Sequence, residues 1–318
     1  MLLNRRHLRI KALQTLYSFS QQGDVDFAWA KKEMMTSIGQ MQDLYIMLLQ
    51  IFVELKKKAE LRIEENKNKH LPTEEDIYPN LKFVDNQIIK ILEEHPELKH
   101  QSDILKANWK GDVKQELMRK LFNHVQKSET YFEFMNNEQD SFNDDKEFMV
   151  QLFKNEVANF HFLLDYFEEK SVYWLDDIDL MCSMVIKTIK KFEEGEDADN
   201  SIFPLFKPND DEKEFIIRLL KETIDNREEN LELIEGLTKN WELDRIAKMD
   251  VLLMELAITE LVVFENIPER VTLNEYIEIS KFYSTPKSNI FINGILDKAV
   301  QQLNKKGKIS KEGRGLIN

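Results

Sequence analysis

One cysteine, Cys182, is all the thiol chemistry in this chain. No intrachain disulfide can form, and a reducing, cytoplasmic setting fits. Nine glycines and seven prolines among 318 residues leave little material for tight turns, and alternating β-branched runs are scarce. These shortages argue against a β-rich fold. No apolar run approaches the ~18 residues needed to cross a bilayer, so no membrane partner is expected. Neither a Gly-x-Gly-x-x-Gly nor a Gly-x4-Gly-Lys-Ser/Thr loop occurs, which removes the usual dinucleotide and phosphate cradles. His-Glu-x-x-His is also missing. His95, His100 and His124 lack ligand spacing and a cysteine partner. No catalytic residue, metal or cofactor is therefore expected, and the protein is read as a non-enzyme.

Acid is absent from one place that matters. The net charge is −14, yet the first 23 residues carry Arg5, Arg6, Arg9 and Lys11 and no carboxylate, so that segment is +4 and the remainder −18. Near the other end Lys305, Lys306, Lys308, Lys311 and Arg314 face one acid, Glu312. A polyanion should be met by the two ends and repelled by the middle. Arg5 and Arg6 ahead of apolar residues imitate a signal peptide, but Arg9, Lys11 and Gln14 interrupt any apolar core. A mitochondrial transit peptide is a better imitation, being basic, amphipathic and poor in acid.

The chain is rich in Leu, Ile, Glu and Lys, with 42% hydrophobic residues and 20 phenylalanines. That is enough for a sizeable core, and an all-α protein is expected. Residues 4–20 read as one helix whose stripe changes from Arg5, Arg6 and Arg9 to Leu8, Ala12, Leu13, Leu16, Tyr17 and Phe19. Burial of only its later turns would leave the arginines at the edge of the core, aimed outward. A plain solvated basic end is the alternative. Residues 28–69 form a long amphipathic stretch. Helical pieces are expected near 74–95, 102–126 and 127–137, with breaks at Pro96 and near Gly111.

An internal repeat follows. Asp144–Asn155 (DDKEFMVQLFKN) returns 67 residues later as Asp211–Glu222 (DEKEFIIRLLKE), with Trp174 matching Trp241 and Asp177 matching Asp244. Each copy continues into an apolar helix, Ile178–Phe192 and Ile246–Phe264, which reads as a duplicated helical pair. Cys182 lies in the first of these helices and reads as a small core residue.

The last long stretch carries the clearest punctuation. Asp250–Leu261 is apolar on most sides and should be a central helix. Pro268 ends the next connection, Thr272 with Glu275 fits a capping box, Pro286 breaks the second helix and Ser288 is placed to cap the third. Gly294 inside that third helix costs about 1 kcal/mol against alanine, which close packing of a neighbouring backbone would offset.

The order Glu260-Leu261, Ile267-Pro268, Val271, Asn274-Glu275, Glu278, Lys281, Ser288, Phe291, Asn293-Gly294, Leu296-Asp297 resembles the C-terminal half of the NusB family, the small all-helical antitermination factors. Ala12-Leu13-Gln14, Leu16 and Tyr17 behind the arginines resemble the family's first helix. The resemblance implies a NusB-like helical bundle in residues 1–69 and 211–305. Between them lies an additional helical segment, 70–210, that holds the partial repeat at 144–192. A basic tail, 306–318, is expected to be disordered.

The resemblance also implies a function. Arg5, Arg6, Arg9 and Lys11 would bind a boxA-type single-stranded element of ribosomal RNA leader transcripts. Phe291 either offers a base-stacking face or belongs to the core. Tyr17, Asp250 and Ser288 stand where a small-subunit ribosomal protein docks, and the assembly would join the elongating RNA polymerase. Three departures from the family pattern stand out: Lys287 where an acid is common, Thr259 where a tyrosine is common, and Glu255 where an arginine is common. The other function considered is a helical protein–protein scaffold without RNA binding.

Overall fold

The computed structural model describes residues 2–195, 198–206, 211–238 and 245–312. Among them the chain forms fifteen α-helices and no strand, as an all-α protein should. In chain order these are α1 (Arg5–Gln21), α2 (Phe27–Lys67), α3 (Glu74–Ile77), α4 (Gln87–Glu94), α5 (Pro96–Leu105), α6 (Asp112–Val125), α7 (Glu129–Asn136) and α8 (Phe142–Leu152). There follow α9 (His161–Lys170), α10 (Ile178–Lys191), α11 (Asp211–Asp225), α12 (Arg227–Leu237), α13 (Lys248–Val263), α14 (Glu269–Tyr283) and α15 (Ser288–Lys305). None of the described helices is long and apolar enough to cross a membrane.

The chain divides into two compact units. The first holds Leu3–Ile38 and the described residues from Leu205 onward. Its centre is α13, against which α1, α11, α12, α14 and α15 all pack. A helix that is apolar all round has no solvent face and goes to the middle of a bundle, and α13 is buried without a break from Leu252 to Leu261. Two carboxylates, Glu255 and Glu260, are carried inside with it. At its other end, α1 is capped by Asn4, whose Oδ1 accepts the His7 amide at 3.0 Å while His7 Nδ1 accepts the Asn4 amide at 3.3 Å. The two side chains thus satisfy one free N–H each.

The second unit holds Leu2 and Gly39–Pro204. Here α8 is the hub, packed by α4, α7, α10 and the π-helical turn Phe153–Val157 that extends it. Aromatic rings fill the core. Phe134 stacks on Phe148 with centroids 3.7 Å apart and planes at 6°. Phe83 meets Phe122, Tyr131 and Phe148. The buried Trp109 indole donates to the Met47 carbonyl at 2.8 Å. In the repeat, α8 packs on α10 just as α11 packs on α13, while Trp241 and Asp244 of the second copy lie outside the described residues.

Several local expectations need correction. Thr272 and Glu275 do not form a capping box, because α14 starts three residues earlier, at Glu269 behind Pro268. Ser288 is the first residue of α15 rather than its cap; the cap position is Lys287, whose side chain makes no capping bond. Gly294 is not a point of close packing either. A Cβ built there meets nothing within 4 Å. Pro96 does not merely separate helices but opens α5, where the His95 side chain accepts the Leu98 amide at 3.1 Å. Proline suits a first helical turn because its missing N–H would be unpaired there anyway. Cys182 is buried in α10, and burial pushes its thiol up to about 12. Among the described residues no group of His, Cys, Asp and Glu side chains could hold a metal ion.

Candidate nucleic-acid interface

The basic start of α1 is the candidate, and its four cations do not share one environment. Arg5 and Arg6 keep 32% and 45% of their side chains exposed, whereas Arg9 keeps 2%. Lys11 is buried as well. Only two of the four therefore stand at the surface. Outward aim fails for Arg9 because α1 packs against α11, α13 and α14, and the packing begins in its first turn, where Arg5 meets Glu212 of α11 and Arg6 meets Glu275 of α14.

Arg9 is held by α13. Its Nε donates to Glu260 Oε2 and its Nη2 to Glu260 Oε1, both at 2.7 Å. Glu260 also accepts the Thr272 hydroxyl at 2.8 Å and the Tyr276 hydroxyl at 3.2 Å from α14. Four donors thus saturate a fully buried carboxylate, the condition under which a buried ion pair is tolerated. Burial opposes charge on Arg9, but its hydrogen bonds and proximity to Glu260 outweigh that and raise its pKa. The Tyr276 phenol is pushed well up, first by burial and then by the neighbouring Glu260. Phe215 of α11 lies under both Arg5 and Arg9, at 5.0 and 5.4 Å from the ring centroid.

The exposed pair is held more lightly. Arg5 Nε reaches Glu212 Oε2 at 2.8 Å. Arg6 makes a two-bond fork on Glu275, Nε to Oε2 at 2.8 Å and Nη2 to Oε1 at 2.7 Å. The Glu275 carboxyl is lowered by the hydrogen bond from Arg6, against an opposing effect of burial. Exposed pairs of this kind contribute about 0–1 kcal/mol, so a phosphate can compete for the guanidiniums.

The remaining candidates scatter. Tyr17 is exposed on the last turns of α1, with Lys248 Nζ 5.6 Å from its ring centroid. Asp250 and Ser288 are both buried and bind each other, Ser288 Oγ donating to Asp250 Oδ2 at 2.8 Å, while Ser284 donates to the other oxygen. They tie the starts of α13 and α15 together. Phe291 is half-buried. In the basic tail, Lys308 pairs with Glu229 and Lys311 Nζ donates to the Phe264 carbonyl at 2.9 Å, while Arg314 lies outside the described residues.

Sequence reading missed the acids that hold the arginines: Glu212, Glu260 and Glu275. The signal available was Glu260 itself, an acid inside an apolar run, which announces a buried partner without saying which one. Glu255 is the second such acid. Both its oxygens are buried without a hydrogen bond, and Arg227 Nε is 3.4 Å from Oε1, an ion-pair distance without hydrogen-bond geometry.

Comparison with known proteins bears on the same region. A model of the NusB family matches residues 178–301, from α10 through most of α15. A protein named transcription antitermination protein NusB from Salinibacter ruber is 41% identical over 138 residues, covering 42% of this chain and 86% of the relative. One of the same name from Chloroherpeton thalassium is 42% identical over 106 residues, 33% of this chain and 50% of the relative. A third, from Natranaerobius thermophilus, is 41% identical over 92 residues, 29% of this chain and 66% of the relative. No solved structure matches the chain.

Proposed function

This chain belongs to the NusB family of non-enzymatic transcription antitermination factors, and on that premise we propose that it binds single-stranded RNA through the N-terminal end of α1. The RNA is a boxA-type element of ribosomal RNA leader transcripts. It is recognised together with a small-subunit ribosomal protein, and the assembly acts on elongating RNA polymerase. One observation carries this reading: Arg5 and Arg6 stand exposed on an acid-free, strongly basic segment of a chain whose net charge is −14. Arg9 has a different part. Locked onto Glu260, it fixes the helix that presents the other two, and Lys11 is buried beside it in sequence. The ribosomal protein meets Tyr17 directly, with Asp250 and Ser288 shaping that surface from beneath.

Binding of the full chain to a short boxA-like RNA, measured at several salt concentrations, tests the reading. Each phosphate contact on a single strand adds about −0.7 to the log–log salt slope. Arg5→Ala with Arg6→Ala should weaken binding and flatten the slope by about 1.4. A chain that ignores RNA with and without the ribosomal protein overturns it. The scaffold reading has one observation in its favour: Leu71, Ile77, Tyr78 and Leu81 of the second unit are exposed within eleven residues.

A further inference from the structure

The two exposed arginines are held by acids of different standing. Arg5 Nε donates to Glu212 of α11 at 2.8 Å. The residue 67 positions earlier, Asp145 of α8, accepts the Gln87 amide at the start of α4, also at 2.8 Å. In both copies of the repeat an acid at this place clamps the start of a packed helix, so the fold accounts for Glu212. Glu275 has no such counterpart. Among the described helices α10 is followed directly by α11, which opens the second copy, so the first copy has no α14. Glu275 accepts Arg6 Nε at 2.8 Å and Nη2 at 2.7 Å.

Two parallel N–H···O bonds to two oxygens of one anion are the geometry in which a guanidinium also takes a phosphodiester. Glu275 therefore fills the seat that an RNA phosphate would take on Arg6. It stays ionised at neutral pH, because the hydrogen bond from Arg6 holds its carboxyl below the ordinary value. Among the described residues Arg6 Nη1 has no partner. A phosphate added at Nη1 would put two anions on one guanidinium, with Glu278 already contributing negative charge to the same field. The carboxylate has another place to go. Arg9 gives Nε and Nη2 to Glu260, and its Nη1 lies 3.7 Å from Glu275 Oε2, the oxygen that Arg6 Nε holds. Rotation toward Arg9 keeps Glu275 paired while freeing Arg6.

We infer that Glu275 is a built-in phosphate mimic: an RNA phosphate binds Arg6 by replacing the Glu275 carboxylate on it, and the carboxylate passes to Arg9. This rests on the RNA-binding reading above. The test uses the full chain and a boxA-like RNA. Glu275→Gln keeps the length of the side chain and removes its charge, so RNA affinity should rise about two- to fivefold. Glu278→Gln removes an equal charge one turn along α14, from a residue paired with Lys281, and should raise affinity less. In an Arg6→Ala background Glu275→Gln should add nothing, because the two act as one coupled pair. The parent chain needs no substitution for a second reading: the carboxyl carbon-13 signal of Glu275 should move on RNA binding while that of Glu260 stays. If Glu275→Gln binds RNA no better than the parent, or more weakly, the carboxylate orients Arg6 and the inference fails while the RNA reading stands. An equal gain from Glu278→Gln, or a gain that survives Arg6→Ala, marks a general charge effect and overturns the inference. A Glu275 signal that RNA leaves unmoved overturns it too. No RNA binding by the parent chain overturns both readings.

Discussion

Arg9 and Glu260, 251 residues apart in sequence, form a two-bond ion pair with both N–O distances at 2.7 Å and no more than 2% of either side chain exposed. The pair joins the first helix to the central one, and Glu275 stands 3.7 Å from Arg9 Nη1 as a second anion. Removing one partner strands a buried charge. Arg9→Ala or Glu260→Ala should therefore destabilise the first unit by about 3–5 kcal/mol, read by urea unfolding. Arg9→Met with Glu260→Leu should recover part of that loss, because an apolar pair avoids the desolvation cost of the charges, while the buried Thr272 and Tyr276 hydroxyls lose their acceptor. Equal losses in single and double variants would contradict this account.

Arg5 and Arg6 should behave in the opposite way. Their pairs with Glu212 and Glu275 are partly exposed, so alanine at either position should change stability by about 1 kcal/mol or less. RNA affinity should fall in both. An affinity loss in Arg9→Ala confined to conditions where the unit has unfolded would mark Arg9 as a positioning residue.

Glu255 makes stability depend on pH. Burial pushes its carboxyl up to about 7, with Arg227 opposing, whereas an unfolded glutamate titrates near its ordinary ~4.3. The folded state therefore holds the proton more tightly. The stability this contributes is fully present below about pH 4 and is lost as pH rises to about 7, amounting to roughly 4 kcal/mol. Glu255→Gln stays neutral throughout. Its advantage over the parent chain should grow from pH 4 to 7 and then level off in urea titrations. A difference that is constant with pH would show that Glu255 does not titrate in this window.

In the second unit, Tyr45 is buried, its hydroxyl lying 2.6 Å from Thr188 Oγ1 and accepting the Phe203 amide at 3.2 Å. Thr188 keeps a bond to the Met184 carbonyl, so Tyr45→Phe strands chiefly the Phe203 N–H. The expected cost is about 1–3 kcal/mol, detectable as a lower urea midpoint. Tyr45→Phe together with Thr188→Val should cost less than the sum of the two single changes, since they share one network.

Much of this was legible from local pattern. An apolar run with no polar face announces a central helix, and α13 is one. The long stretch expected over 28–69 is the 41-residue α2. The order of residues from Glu260 to Asp297 suggested the NusB family, to which the chain belongs. Less legible was the direction of each side chain. Thr272 and Glu275 have capping-box spacing, yet inside α14 they face different partners, Thr272 turning to Glu260 and Glu275 to Arg6. Arginines in a row look alike on paper, but packing leaves Arg5 and Arg6 in solvent and seals Arg9.

The sequence by itself determined the all-helical class, the central helix and the family, because these follow from short-range periodicity, capping residues and residue order, which a linear chain displays. Only the tertiary structure decided which cations face outward and which acids hold them. Those pairings join residues up to 269 positions apart, as with Arg6 and Glu275, and their strength depends on how much water the packed helices exclude.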